Sequence, residues 1–171
     1  MQPEPSLECR VCRGFLTHGY ITLLTRNAIS EEMADNGIPR VNVPQQSGEY
    51  KVVQLDIEGQ PYLRFADEGW STHAVILMTL ADKLGKEYPT MEIDRGFLGG
   101  GKDDVPALES DWYKVHGMGK SAVDVAQKKV SLFGRSMDYG LSISPEQLES
   151  VKPLMPDWSF EFSANRRDDL F

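Results

Sequence analysis

The sequence predicts an α+β fold in which a mixed β-sheet carries two main helices, all within a single domain. Residues 51–57 contain β-branched side chains that partly alternate with polar ones, which is typical of a strand, and residues 62–65 follow as a second strand after a turn. Residues 70–86 place apolar side chains on one face at helical spacing. Ser144 and Pro145 begin a second helix, because serine caps a helix and proline fits its first position.

The remaining elements complete the order strand, strand, helix, strand, strand, helix, strand. Gly85 is expected to end the first helix. The second helix is expected to reach about residue 154, with Gln147 completing a capping box. Further strands are predicted at residues 91–97, 128–133 and 158–162.

Two segments have weaker patterns. Residues 1–48 are rich in proline, glycine, asparagine and glutamine, and they are expected to form a loosely ordered N-terminal extension to a domain spanning residues 49–171. Residues 103–127 hold a proline, two glycines and mixed charge. We expect them to form an exposed excursion with one helical turn, inserted into the domain.

Composition excludes several classes of function. The 171 residues carry a formal net charge of -8, which argues against a long nucleic-acid groove. No apolar run is long enough for a membrane span. The two cysteines are too few for a disulfide framework and favour a reducing, cytoplasmic setting. No apolar heptad seam is present, so a monomer is expected.

His73 is the first candidate for chemistry. It lies near the start of the predicted first helix, on the apolar face, where partial desolvation favours the neutral imidazole. A general base or a nucleophile needs that neutral form. The alternative is a core histidine with one satisfied hydrogen bond, and position alone favours the core role.

Two glycine-bounded loops are candidate anion sites. The run Gly99-Gly100-Gly101 brings backbone N–H groups close to a ligand and is followed by Lys102. The second loop, residues 134–140, offers the Ser136 hydroxyl and the amides after it. Either loop alone is more typical of a plain connection.

Taken in chain order, these segments closely resemble the protein histidine phosphatase family, also called the Janus/Ocnus family. The resemblance spans roughly residues 49–164, interrupted by the excursion, and leaves the N-terminal extension outside. It is carried by Tyr50-Lys51-Val52-Val53, Arg64, Gly69-Trp70-Ser71-Thr72-His73-Ala74, Leu98-Gly99-Gly100-Gly101-Lys102 and Phe133-Gly134-Arg135-Ser136-Met137-Asp138-Tyr139-Gly140.

The resemblance implies a metal-independent phosphatase, without a cofactor, that removes phosphate from phosphohistidine or phospholysine in proteins. Its partners are then histidine-phosphorylated proteins. His73 is implied to be the catalytic residue, acting as a general base on water. The phosphate-binding residues implied are Lys51, Arg64, Lys102, Ser136, Met137 and Asp138, with the amides of the last three cradling the phosphoryl oxygens.

This sequence departs from the family pattern at two of these positions. Lys102 stands where an arginine is usual and loses the bidentate grip. Asp138 stands where a small residue is frequent, and its carboxylate repels phosphate unless it points away. The excursion at 103–127 is also longer than the family pattern leads us to expect.

Three alternatives remain open at this point. His73 attacks phosphorus directly in a variant of the mechanism and carries the phosphate transiently. A non-catalytic phosphate-binding regulatory module is the rival class. A weaker third reading is a zinc site formed by Cys9, Cys12 and His18.

Overall fold

A five-stranded mixed sheet organises the protein. The computed structural model describes residues 36–68, 71–94 and 101–164. The strands in this part of the chain are β1 (Gly48–Ile57), β2 (Gln60–Phe65), β3 (Thr90–Asp94), β4 (Lys102–Pro106), β5 (Tyr113–Asp124), β6 (Lys129–Phe133), β7 (Arg135–Ser136), β8 (Leu141–Ser142) and β9 (Ser159–Phe162). The helices are α1 (His73–Leu84), α2 (Pro145–Val151) and a 3-10 helix, Lys152–Leu154.

The main sheet has the order β2-β1-β5-β6-β9, and its pairs are antiparallel except β6 with β9, which is parallel. Strands β3 and β4 form a separate antiparallel pair, and β7 and β8 form another. The predicted class, a mixed sheet with two helices in an α+β domain, is therefore confirmed.

Strand β5 is the longest strand of the sheet and lies at its centre. The expectation that residues 103–127 form an exposed excursion with one helical turn is wrong. Gly117 and Gly119 indicate a turn by composition, yet both lie in strand β5. Glycine is required at these positions because packed segments of the same protein leave no room for a Cβ. A register shift of β5 against β1, between Gln54 and Leu55, also hides the alternation.

Helix α1 forms within the predicted range of residues 70–86 but is shorter, since it begins at His73 and ends at Leu84. The Thr72 hydroxyl caps it by accepting from the Val75 N–H, and Gly85 ends it with φ 61, a left-handed conformation that glycine adopts without strain. Trp70, which the sequence also places on this helix, lies outside the described residues.

The two helices cover opposite faces of the sheet, because successive β1 residues point to opposite sides. The α1 face is built from Val53, Leu55, Tyr62, Leu77, Leu80 and Met118, among others. The α2 face is built from Val52, Leu63, Leu132, Leu148 and Val151, among others. Truncating one such fully buried leucine to alanine costs about 2–5 kcal/mol.

Residues 36–47 are packed against the sheet, so the expected loose extension is wrong for this part. Ile38, Val41 and Val43 are buried, and the Leu63 N–H donates to the Arg40 carbonyl at 2.9 Å. This segment therefore covers the outer edge of β2. Cys9, Cys12 and His18 lie outside the described residues.

Helix α2 begins at the predicted place but differs in its detail. Ser144 caps it through a hydroxyl that accepts the Gln147 N–H, as expected. The predicted reciprocal half of the capping box is wrong, because the Ser144 N–H donates to Gln54 Oε1 at 2.7 Å, while Gln147 Nε2 donates to Asp56 Oδ1 at 2.7 Å. The α-helix ends at Val151, and the 3-10 helix continues to Leu154. No helix in the described ranges is long and apolar enough to cross a membrane.

Candidate functional site

His73 is the first residue of α1, and its ring lies against β5. Its side chain is buried, with the residue 4% exposed, and Nε2 is 2.8 Å from the carbonyl oxygen of Gly119. A carbonyl only accepts hydrogen bonds, so Nε2 carries the ring proton. In the neutral imidazole Nδ1 is therefore the atom with the free lone pair.

Nδ1 of His73 is the second nitrogen of a ring that is almost wholly buried, with the residue 4% exposed. Among the described residues, none forms a hydrogen bond with it. Its lone pair can therefore accept a proton or attack an electrophile.

The environment keeps the His73 ring neutral. Burial lowers its pKa from the ordinary value of 6.5 to about 4, and the Lys51 charge lowers the pKa further, while the Gly119 carbonyl and the Asp138 charge oppose the shift. At pH 7 the imidazole is essentially unprotonated. His73 is therefore neutral, as a general base must be, and also buried, as a core histidine is. The two roles considered for His73 do not exclude each other.

Lys51 and Lys120 stand directly opposite each other on β1 and β5. Lys51 lies two residues from Val53 on β1, and Lys120 lies two residues from Met118 on β5, so each lysine shares a face with that neighbour. Val53 and Met118 belong to the α1 face, and both lysines therefore project toward the side of the sheet where His73 lies. Both side chains are half-buried. The Lys51 charge is close enough to His73 to lower its pKa, and Lys120 lies opposite Lys51, so two cationic residues meet on this side of the sheet in a protein of net negative charge.

Ser136 lies in a tight hairpin formed by β7 and β8. Its side chain is buried, and its Oγ accepts the Tyr139 N–H at 3.4 Å. The hydroxyl hydrogen remains able to donate. The turn between these residues exposes Met137, which is 75% accessible, and Asp138. The predicted glycine-bounded loop is thus an ordered hairpin, with Gly134 and Gly140 at φ 70 and 65.

The hairpin is pressed against the strand that holds His73. A Cβ added to Gly119 would lie 2.6 Å from the Phe133 carbonyl oxygen and 2.7 Å from Ile143 Cγ1. A side chain at position 119 is therefore excluded. Phe133 and Ile143 flank the hairpin that carries Ser136, so the hairpin packs directly against the residue whose carbonyl contacts His73.

Arg64 is buried on β2, and its Nη1 donates to the Pro39 carbonyl at 2.6 Å. It lines a cavity of about 420 Å³ together with Thr72 and Val75 from the start of α1. The arginine therefore connects the segment covering the β2 edge with the wall of a cavity beside the histidine helix.

Lys102 is exposed on β4, and its Nζ donates to Glu92 Oε1 at 2.6 Å across the β3–β4 pair. Within the described residues, no hydrogen bond or ion pair joins it to the His73 cluster. Gly99 and Gly100, which the sequence places beside it, lie outside the described residues.

Lys120 is the site residue that sequence reasoning missed. It follows Gly117-Met118-Gly119, a glycine-bracketed run like the one before Lys102, and that likeness was the only signal available. The run lies within the segment that the sequence predicts to be an exposed excursion. Strand register then brings Lys120 opposite Lys51.

No protein-family model matches the chain, and no curated protein sequence matches it. The chemistry of the site is therefore argued from its geometry. In the described ranges, no three histidine, cysteine, aspartate or glutamate side chains gather into a group that could hold a metal ion.

Proposed function

We propose that the protein is a phosphohistidine phosphatase that hydrolyses the P–N bond of phosphohistidine or phospholysine in proteins without a metal ion. One observation carries the proposal. Burial keeps His73 a neutral imidazole, the Gly119 carbonyl holds the ring proton on Nε2 and leaves the lone pair on Nδ1, and the Lys51 charge is close enough to lower the pKa of the ring. A base, Nδ1 of His73, and a cation, Lys51, then lie in the same site.

The phosphoryl group is bound by cations and amides. Lys51 and Lys120 neutralise its oxygens, and the backbone N–H groups of the turn that follows Ser136 supply further donors. These groups are fixed before substrate arrives, so little reorganisation accompanies the reaction. Lys102 stays a predicted phosphate ligand that no contact in the described part links to the cluster.

In the proposed reaction a water molecule attacks phosphorus while His73 Nδ1 takes a proton from it. The P–N bond breaks, its electron pair stays on the leaving nitrogen, and the proton that His73 took from water is passed to that nitrogen, which returns His73 to its neutral form. The products are inorganic phosphate and the unmodified side chain. In the nucleophilic variant, Nδ1 attacks phosphorus first and water then hydrolyses the phosphorylated His73.

A non-catalytic phosphate-binding module is the second candidate, and the low exposure of the His73 ring favours it. Such a module uses the same cations and the same hairpin but presents too little of the histidine for turnover. Wild-type protein that binds inorganic phosphate and releases none from a phosphohistidine peptide would identify this class.

The first experiment measures phosphate release from a phosphohistidine peptide by wild type, His73→Ala and His73→Gln. Both variants are expected to lose about 100-fold or more in kcat, because the proton acceptor is gone. Gln retains a donor for the Gly119 carbonyl, so its loss separates chemistry from folding.

His116→Gln is the matched control, since His116 pairs with Asp56 at 2.9 Å and forms no contact with His73. It is expected to retain wild-type turnover, and wild-type activity is expected to survive dialysis against a chelator. Equal rates for wild type and His73→Ala would contradict the proposal.

A further inference from the structure

Gln54 is an amide on β1 that is fully buried, at 0% exposure. Its Nε2 donates to the Ser144 carbonyl at 2.9 Å, and its Oε1 accepts the Ser144 N–H at 2.7 Å. One side chain thus satisfies both backbone polar groups of a residue 90 positions away. Backbone groups of this kind are usually paired by a neighbouring strand, and here a side chain pairs them instead.

Ser144 is the point at which the β7–β8 hairpin passes into α2. Ser142 of β8 pairs with Arg135, and Leu141 pairs with Ser136. Fixing Ser144 therefore fixes the second arm of the hairpin that carries Ser136. The first arm is fixed already, because it continues directly from β6.

The clamp between Gln54 and Ser144 is pressed onto β5. A Cβ at Gly117 would collide with Gln54 Oε1 and would lie 2.7 Å from the Ser144 nitrogen. Gly117 is two residues from Gly119, whose carbonyl holds His73. Nearby residues of β5 thus contact both elements: Gly117 packs against the contact that fixes the hairpin, and Gly119 accepts the hydrogen bond from His73.

We propose that Gln54 is a positioning residue of the phosphate site, holding the turn after Ser136 in place relative to His73 and the paired lysines. This inference rests on the proposed function for its effect on substrate. Gln54 itself is buried on the α2 side of β1 and acts through Ser144. Its loss changes where the turn amides point and leaves the histidine unaltered.

Asn42 supplies a matched control. Its side chain forms the same two-bond contact with the backbone of Phe65, donating to the carbonyl at 3.1 Å and accepting the N–H at 2.8 Å. That contact lies at β2, at the other end of the sheet order from β6 and the hairpin. Asn42 is half-buried rather than fully buried, so removing it costs the same number of hydrogen bonds at a more exposed place and leaves the hairpin untouched.

The experiment compares Gln54→Leu with Asn42→Leu. Inorganic phosphate is titrated while amide chemical shifts are recorded, and KM and kcat are measured with a phosphohistidine peptide. Gln54→Leu is expected to weaken phosphate binding and raise KM by about 10-fold with kcat changed less, because two buried backbone groups lose their partners. Asn42→Leu is expected to bind phosphate as wild type does.

Gln54→Glu is the second variant, and it keeps the proposal testable should the leucine variant fail to fold. A carboxylate accepts the Ser144 N–H but cannot donate to the carbonyl, whereas a protonated carboxyl does both. The defect in KM is therefore expected to shrink as the pH falls from about 8 to about 5.5, a range in which burial favours the protonated form. His73 stays neutral there, because its pKa is about 4.

Equal phosphate affinities for wild type and Gln54→Leu, or equal losses in Gln54→Leu and Asn42→Leu, would overturn the inference. So would a KM defect in Gln54→Glu that does not respond to pH. If wild type binds no phosphate, the proposed function fails, and hydrogen exchange then tests positioning by itself. Exchange of the Tyr139 amide, which Ser136 Oγ accepts, must be faster in Gln54→Leu than in Asn42→Leu.

Discussion

Lys102 and Lys120 show how similar local sequences reach different places. Each lysine directly follows a glycine, and each lies in a strand. Lys102 lies in the small β3–β4 pair and donates to Glu92. Lys120 lies in the central strand of the main sheet, opposite Lys51 and one residue from the carbonyl that holds His73.

The difference lies in the strand partner. An exposed lysine opposite an acidic side chain forms a surface ion pair, which contributes little and is screened by solvent. Two lysines directly opposite each other repel, and an anion between them relieves the repulsion. A lysine next to glycine thus becomes a candidate phosphate ligand only through the register that brings a second cation to it.

The largest expected difference is in catalysis. Lys120→Ala should lower kcat/KM for a phosphohistidine peptide by about 30-fold, in the range of a lost hydrogen bond to a charged group, whereas Lys102→Ala should change it by less than about threefold. Steady-state kinetics on the two variants decide between the lysines. A larger loss for Lys102→Ala would reverse the comparison and restore the glycine run before it as the anion loop.

A smaller effect is expected from the acidic neighbours of the two sites. Asp138→Asn removes a negative charge that reaches His73, so inorganic phosphate should bind about threefold more tightly at low ionic strength. Asp103→Asn, next to Lys102, should leave phosphate affinity unchanged. Titration at two salt concentrations checks both variants, and weaker phosphate binding by Asp138→Asn would mean that the carboxylate holds part of the loop.

The smallest effect is a shift in the His73 titration. Lys51 disfavours the imidazolium, so Lys51→Met should raise the His73 pKa above its value of about 4, while Lys102→Met should not move it. Imidazole resonances followed by NMR provide the measurement.

The same pKa sets the pH profile of activity. A base with a pKa of about 4 stays unprotonated at higher pH, so kcat/KM should keep its value down to about pH 5 and fall below about pH 4. Loss of activity with an apparent pKa near 6.5 would contradict the desolvated ring.

The local sequence was sufficient where local interactions determine the structure. The alternating β1, the apolar face of α1, the Thr72 and Ser144 caps and the glycine that ends α1 all depend on contacts within a few residues. The place of His73 on the apolar face of the helix follows from periodicity as well, whereas its catalytic role was implied only by the family resemblance.

Long-range packing determined the rest. Gly117 and Gly119 indicated a turn by composition, and the absence of space beside them is visible only once Gln54 and Ile143 have been packed against β5. Gln147 fitted a capping box, but Gln54 accepts the Ser144 N–H from 90 positions away in the sequence. Such partners cannot be read from spacing, because nothing local records them.

The order of residues along the chain thus predicts the class of fold, the place of His73 on the first helix and a loop at Ser136. The tautomer of His73, its lowered pKa and the pairing of Lys51 with Lys120 come from the assembled sheet. The physical reason is that helix periodicity and caps act over one or two turns, whereas desolvation and cross-strand register exist only after distant segments have met.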